Sequence, residues 1–529
     1  MTLSHVSTRW RHPLIWCIAL GALAVGSYWA AELYLLDGGL GFPLDDSWIH
    51  LQFARNLAAG DGLSYNAGEL VTGSTAPLWT AWLAVLFLLP GDPAVWAKIS
   101  GVSLYLAIIP ATYRLARELR VARDLAALAA ALTACSSVMV WSALSGMEIP
   151  LFTLLSLLGM TLHLRERRRP GGVPLSAVVL ALAALARPEG LGLVVAALAD
   201  RGLAAVRAMP ADRRDLLRQL GVFVLLAGLI LLPTLLFYRA AGGSFLPTTY
   251  AAKAPGPQRW LPSTSYLNVV LGILFQVQPV MTLLAGAGIL ALITRLGSRR
   301  DDGLLPALWL VGVPLAYSLV SPLGPGVVVG NFGRYYFPFI PVVAVLGVLA
   351  VEALRQQRGA PAEPVRLPAL AVAVLVALCL LPTLIDLGRG LERYTRNVLN
   401  VEDSDVAMAL WLRDRLPEEA LLAVNDIGAL KYLLPNRVAD LAGIANPEVR
   451  RYFAEAIERG ESPEVGIERF LEEQRPDYLV VFSSWFPQLE SQGEKYRPLH
   501  RILIEDNITM GGSELVLYST PWTRYPLKP

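Results

Sequence analysis

Apolar runs of bilayer-spanning length recur along the chain from residue 13 to residue 386, and the residues beyond 386 contain none. The runs fall at 13–36, 95–113, 125–145, 149–164, 219–238, 278–294, 304–323, 335–354 and 367–386. The stretch 173–199 is apolar too, but carries Arg187-Pro188-Glu189-Gly190 at its middle. A proline flanked by charges suits a lipid-facing helix core badly. Two short half-helices are therefore expected there, with the tetrapeptide at their outer tip. At ~20 residues per crossing the pattern predicts about 11 transmembrane helices. The stretch 76–90 is short and ends in Pro90-Gly91-Asp92-Pro93, so an interfacial or re-entrant helix is expected within a first outer loop at 37–94.

After residue 400 the periodicity changes. Helices are expected at 404–416, 447–459 and 465–474, and strands at 421–424, 478–482, 499–505 and 514–518. The fold class is thus mainly α: a polytopic membrane bundle over 1–390, followed by a C-terminal α/β domain over 391–529.

Composition agrees with this division. Of 529 residues, 54% are hydrophobic and 17% charged, where soluble domains carry roughly 25% charged residues. A net charge of +2 gives no reason to expect nucleic acid as a partner. Cys17, Cys135 and Cys379 all lie in apolar runs, as small buried hydrophobes rather than a disulfide framework or a metal set. The first run is too long for a signal-peptide core and is read as a retained helix.

Basic residues orient the bundle, because Lys and Arg accumulate on the cytoplasmic side of short loops. Clusters at Arg9/Arg11, 114–123, 165–169, 201–218, 295–300 and 355–366 mark the inner face. The opposite face keeps Arg55, Lys98, Arg187, Arg239, Lys253, Arg259 and Arg334. The N-terminus is then cytoplasmic and the α/β domain extracytoplasmic.

The outer loops collect chemistry. Asp45-Asp46 precede a turn in which Trp48, Leu51, Phe53 and Leu57 could lie against the membrane. Adjacent carboxylates repel, which raises one pKa and suits a general base acting on a hydroxyl. The same pair, with Glu148, could instead hold a divalent cation, and one aspartate could simply cap the helix. Glu148 sits in the tight loop Ser145-Gly146-Met147-Glu148-Ile149-Pro150, and Arg187 and Glu189 either pair with each other or face a substrate. Tyr250 and Lys253 in one outer loop, and Arg334-Tyr335 at the start of a span, provide cations that either snorkel to headgroups or clamp a phosphate. Arg55 lies on the first loop. Carboxylates and cations on one face suit attack by a hydroxyl on a carbon whose leaving group is a lipid-held phosphate. That reaction requires no cofactor.

The run Asp45-Asp46-Ser47-Trp48-Ile49, with Phe53-Ala54-Arg55-Asn56-Leu57, Gly60-Asp61-Gly62-Leu63-Ser64-Tyr65-Asn66, Gly68-Glu69, Gly73-Ser74-Thr75 and Pro77-Leu78-Trp79, resembles the C-type (GT-C) polyprenyl-phosphate-sugar glycosyltransferases. Within them it is similar to the mycobacterial terminal arabinofuranosyltransferase group. Gly146-Met147-Glu148-Ile149-Pro150-Leu151-Phe152, Arg187-Pro188-Glu189-Gly190, Gly333-Arg334-Tyr335, Asn425-Asp426-Ile427-Gly428 and Val438-Ala439-Asp440-Leu441-Ala442-Gly443 look like that group's later landmarks.

The resemblance implies an inverting transferase of a bacterial plasma membrane, with Asp45 or Asp46 as its base. Its donor would be a polyprenyl-phosphate sugar, such as an arabinofuranose. Its acceptor would be a cell-envelope glycan or lipid-linked glycan. Arg55, Glu148, Arg187, Glu189, Tyr250, Lys253, Arg334 and Tyr335 would surround the donor. The chain departs from the pattern with Glu148 where Asp is common and Thr72 where an acid is frequent. A transporter or flippase for a lipid-linked sugar is the alternative, marked by flux across vesicles without product. A non-catalytic assembly or sensor protein that binds glycan or peptide through its α/β domain is a third, marked by binding through the isolated 395–529 region.

Overall fold

The computed structural model describes residues 13–529 apart from 170, 246, 248–259, 297, 299–300, 321–330 and 359–368. Helices occupy every apolar run. Among the described residues, five are long and apolar enough to cross a membrane: Pro13–Leu35, Pro93–Glu118, Pro210–Gly242, Gly333–Gln356 and Ala373–Arg413. Two further helix pairs are apolar and sharply bent, as a broken span or a re-entrant loop is: Arg123–Ala134 with Ser137–Leu144 (54°) and Thr264–Val277 with Pro279–Arg295 (118°). The break expected at Arg187-Pro188 separates Leu175–Ala186 from Glu189–Arg207. Pro188 has no N–H to continue the first helix, and its fixed φ starts the second.

On the basic side, several arginines are neutralised within the protein. Asp302, fully buried, meets Arg120 at 3.3 Å and Arg168 at 3.1 Å. Asp200 meets His163 at 2.7 Å and Arg167 at 3.5 Å. Lys98, read above as an outer-face cation, is instead fully buried against Glu32 at 2.8 Å and the Tyr394 hydroxyl at 3.1 Å. A lysine at this depth is tolerable only when paired in this way.

The C-terminal region forms a five-stranded sheet: β1 (Leu422–Val424), β2 (Val438–Asp440), β3 (Tyr478–Phe482), β4 (Arg497–Leu503) and β5 (Glu514–Ser519), in the order β2-β1-β3-β5-β4. β1 runs parallel to β2 and β3, and β5 is antiparallel to β3 and β4. β2 and the helix Gly428–Leu433 are elements that the periodicity did not reveal, being only three and six residues long.

Alternate residues of β1 and β3 enter different cores, as strand geometry requires. Leu422, Val424, Tyr478, Val480 and Phe482 enter one, and Ala423, Leu479 and Val481 the other. The first of these cores also contains Phe53, Tyr65 and Val71 from the first outer loop. The loop therefore covers one face of the sheet. Trp48, Leu51 and Phe53, expected against lipid, are buried in protein instead. The last membrane helix runs unbroken through residue 390 to Val401.

Candidate active site

Asp45 and Asp46 stand at the start of the helix Asp46–Ala59. Asp45 makes no side-chain cap bond to its own helix. Its carboxylate accepts the N–H groups of Gly428 (2.6 Å) and Ala429 (2.7 Å), across the boundary between the two regions. A side chain at Gly428 would place Cβ 2.2 Å from the Asp45 carbonyl oxygen, so only glycine permits this approach. Burial, together with the neighbouring Asp46 charge, pushes the Asp45 carboxyl up to about 6 against the opposing pull of the two N–H donors. Asp46 turns the other way and pairs with Arg334. Its side chain is 32% exposed and that of Arg334 only 6%, so the carboxylate remains reachable from solvent while the cation is fixed.

The second acidic loop is pinned to the first. The Ser47 hydroxyl donates to the Ser145 carbonyl (2.6 Å) and the Trp79 indole to the Gly146 carbonyl (3.0 Å). Glu148 then receives Arg187 at 2.8 Å and His50 at 3.1 Å. Burial alone would raise the Glu148 carboxyl, but Arg187 and His50 outweigh it and hold it down at about 2. Arg187 also binds Glu189 at 2.9 Å. All four members of this group are at most 7% exposed.

Tyr335 joins the two groups. Its ring lies 5.1 Å from the Arg187 guanidinium and 5.5 Å from that of Arg334. Each cation is attracted to the π face, so one ring holds two positive charges side by side that would otherwise repel.

Arg55 faces elsewhere. It donates to the Tyr432 carbonyl at 2.8 Å and stacks on the Tyr432 ring at 4.9 Å, tying the first loop to the outer domain. The Tyr65 hydroxyl donates to the Ile427 carbonyl, and Asn66 exchanges two hydrogen bonds with Val438. Asp440 folds its own loop by accepting N–H groups of Ala442, Ile444 and Ala445. That loop packs so close to Gly73 that an added Cβ would meet the Ile444 carbonyl at 2.5 Å. Most of the first-loop signature therefore docks the loop on the sheet, which leaves Asp46 at the surface of the joint. Tyr250 and Lys253 lie outside the described residues.

Three groups escaped the sequence reading: His50, Asp405 and Asp426. His50 sits four residues after Asp46 on the same helix face, a spacing that could have flagged it. Asp426, within the Asn425-Asp426-Ile427-Gly428 landmark, is pushed well up by burial and by the charges of Asp45 and Asp46. Asp405 is fully buried with neither carboxylate oxygen hydrogen-bonded, and it feels the charge of Asp45 and Asp426.

For a divalent cation, Asp45, Asp46 and Glu148 do not form a ligand set. Asp45 is held by two N–H groups and Glu148 by Arg187 and His50. Among the described residues, no three His, Cys, Asp or Glu side chains are grouped to hold a metal.

Residues 393–519 match the model of a domain of unknown function (DUF8728). No curated protein matches the chain. Solved structures do. ArnT from Cupriavidus metallidurans bound to undecaprenyl phosphate is similar with a TM-score of 0.57 at 16% identity, over 95% of this chain and 98% of that one. The Archaeoglobus fulgidus oligosaccharyltransferase, in a complex with zinc and sulfate, is similar with a TM-score of 0.56 at 14% identity, over 89% and 68%. The oligosaccharyltransferase AglB of the same organism, in complex with an inhibitory peptide and a dolichol-phosphate, gives 0.54 at 14%, over 97% and 75%. The chain is thus a multi-pass membrane protein that shares the fold of these proteins over most of its length.

Proposed function

We propose that this chain is an integral-membrane glycosyltransferase that moves a sugar from a polyprenyl-phosphate donor to a hydroxyl of a cell-envelope glycan. The observation that carries this reading is the solvent-reachable Asp46 carboxylate paired with Arg334, with Arg187 on the same Tyr335 ring. A carboxylate that accepts a proton stands beside cations that receive the charge developing on a phosphate.

In the proposed reaction the acceptor hydroxyl gives its proton to Asp46 and its oxygen attacks the anomeric carbon. The bond from that carbon to the phosphate oxygen breaks, and the electron pair leaves with the lipid phosphate. One displacement inverts the centre, and the step uses no cofactor. Donor phosphate binding to Arg334 takes that cation from Asp46 and so frees the base as the substrate arrives. Asp46 rather than Asp45 is the base in this reading, because both Asp45 oxygens already accept backbone N–H groups. Arg187, Glu148 and Glu189 position Tyr335 and Arg334, and Tyr250 and Lys253 supply further donor contacts.

Two kinds of support bear on the donor. ArnT and AglB, which share the fold, have been solved with undecaprenyl phosphate and a dolichol-phosphate. The first-loop signature carries the narrower reading of a pentofuranose such as arabinofuranose, on the extracytoplasmic face of a bacterial plasma membrane.

The test is transfer by purified protein from synthetic polyprenyl-phosphate arabinofuranose and its hexose counterparts. Product is expected with wild type and a loss of about 10²–10⁴-fold with Asp46→Asn. Full turnover by Asp46→Asn, with unchanged melting temperature, overturns the base assignment. Flux without product by wild type overturns the enzyme.

A further inference from the structure

A cavity of about 550 Å³ lies apart from the carboxylates, where the Ser137–Leu144, Thr264–Val277 and Ala369–Val401 helices meet the turn Asn331–Phe339. Its walls are apolar, with Trp141, Ile273 and Phe337 prominent, and Ile508 from the β4–β5 connection lines it too. Gly272 and Gln276, both exposed, border its mouth.

One cation lines this apolar space. Arg393 is half-buried and makes no hydrogen bond or ion pair among the described residues. Of the acids on its own helix, Glu392 pairs with Arg396 at 3.5 Å, while Asp386 accepts from the Ser137 hydroxyl and feels the Arg393 charge from beyond ion-pair distance. Asn397, one turn further, bridges the Trp141 indole at 3.0 Å and the Thr509 hydroxyl at 2.7 Å, which fixes the outer end of the cavity. A guanidinium at the edge of a low-dielectric space leaves its N–H donors unsatisfied without a direct anionic partner, and it binds phosphate through two parallel hydrogen bonds.

We propose that this cavity is a second lipid-phosphate site, holding the phosphate of an isoprenoid carrier on Arg393 and its first isoprene units between Trp141, Ile273 and Phe337. The inference rests on the reading that the chain uses such a carrier. The volume matches one drug-sized ligand, which suits a single thin chain better than a two-tailed phospholipid. Gly333 lines the cavity and the next residue, Arg334, reaches Asp46. One turn of chain therefore borders both sites, and a carrier held on Arg393 stands next to the place where its phosphate is exchanged.

Native mass spectrometry of the purified full-length protein, titrated with undecaprenyl phosphate, tests this. Wild type is expected to bind two equivalents, and Arg393→Ala to weaken one of them about tenfold, the scale of a lost charge-assisted hydrogen bond. Arg393→Lys should restore part of that affinity, and Gly272→Trp, which fills the mouth, should remove the same equivalent. Arg334→Ala should remove the other. Inorganic phosphate and phosphatidylglycerol, run as competitors, should not displace the Arg393-dependent equivalent.

Unchanged stoichiometry and affinity in Arg393→Ala and Gly272→Trp, with wild-type melting temperatures, overturn the proposal. Equal competition by phosphatidylglycerol overturns the carrier assignment, and displacement by inorganic phosphate overturns the role of the isoprenoid walls. The readout needs no turnover, so failure of wild type to transfer sugar is told apart from failure of the cavity.

Discussion

The carboxylate of Asp45 accepts the backbone N–H of Gly428 at 2.6 Å, joining residues 383 positions apart. The bond places the first outer loop against the outer sheet. It also sets the direction of Asp46, whose neighbour in the chain can no longer turn. An anion at the start of the Gly428–Leu433 helix is favourable in its own right, and the missing Cβ of Gly428 is what allows the contact.

Gly428→Ala is therefore expected to separate the two regions locally. The added carbon meets backbone and carboxylate of Asp45 at 2.2 and 2.5 Å, and overpacking of this kind costs ~1–3 kcal/mol. A lower melting temperature together with lost transfer is the expected pair of results. Wild-type values in both would mean that the joint does not orient Asp46.

Arg187→Ala leaves Glu148 and Glu189 buried without their shared cation. Breaking a buried pair from one side costs ~3–5 kcal/mol. Chemical denaturation should show that loss, and the double variant Arg187→Ala/Glu189→Gln should recover part of it. Absence of any recovery would place the damage outside this ion group.

Arg334→Ala and Arg334→Lys should separate charge from geometry. In the proposed reaction the guanidinium meets donor phosphate in the ground state and more strongly as charge develops, so both KM and kcat suffer in the alanine variant. Lysine keeps the charge but loses the fork, and it should restore binding more than turnover. Steady-state kinetics over donor concentration decide this. Unaltered kinetics in both variants would remove Arg334 from the site.

Stability should fall as pH rises through the range that Asp45 titrates. Its folded carboxyl stands at about 6 and the ordinary aspartate value is 3.8, so the folded protein holds more protons than the unfolded chain between those values. The native state then loses free energy as pH climbs from 4 to 6, on the order of 1–3 kcal/mol from this group. Asp426, also raised, adds in the same direction. Melting temperatures from pH 4 to 7 should decline less steeply in Asp45→Asn than in wild type. Equal slopes would assign the dependence to other acids.

Much of the bundle is legible from hydrophobic length alone. A helix in lipid must satisfy its own backbone, so each apolar run becomes a helix wherever it sits. The break at Arg187-Pro188, predicted from one proline between charges, follows from the same local chemistry. The short elements were not legible. β2 and the Gly428–Leu433 helix are held by neighbours rather than by their own periodicity: Val438 by Asn66, and the helix N-terminus by Asp45.

The site divides in the same way. That Asp45, Asp46, Glu148, Arg187 and Arg334 lie where apolar runs are interrupted or end was readable from where hydrophobicity stops. Their roles were not. Two adjacent aspartates have the same chemistry in the sequence, yet one caps a helix 383 residues away and the other meets a cation. Arg55 has the charge of a phosphate ligand and is engaged by a carbonyl and a ring.

The sequence by itself determined where the apolar segments fall, that they are helices, and which connections between them carry most of the charges, because those depend on residues close together in the chain; it overstated how many of them are long enough to cross a membrane, about 11 against five straight spans among the described residues. Only the tertiary structure decided which charge faces which. Pairing energies fall with distance and rise with burial, and both are properties of segments brought together from far apart, as Tyr335 brings Arg187 beside Arg334.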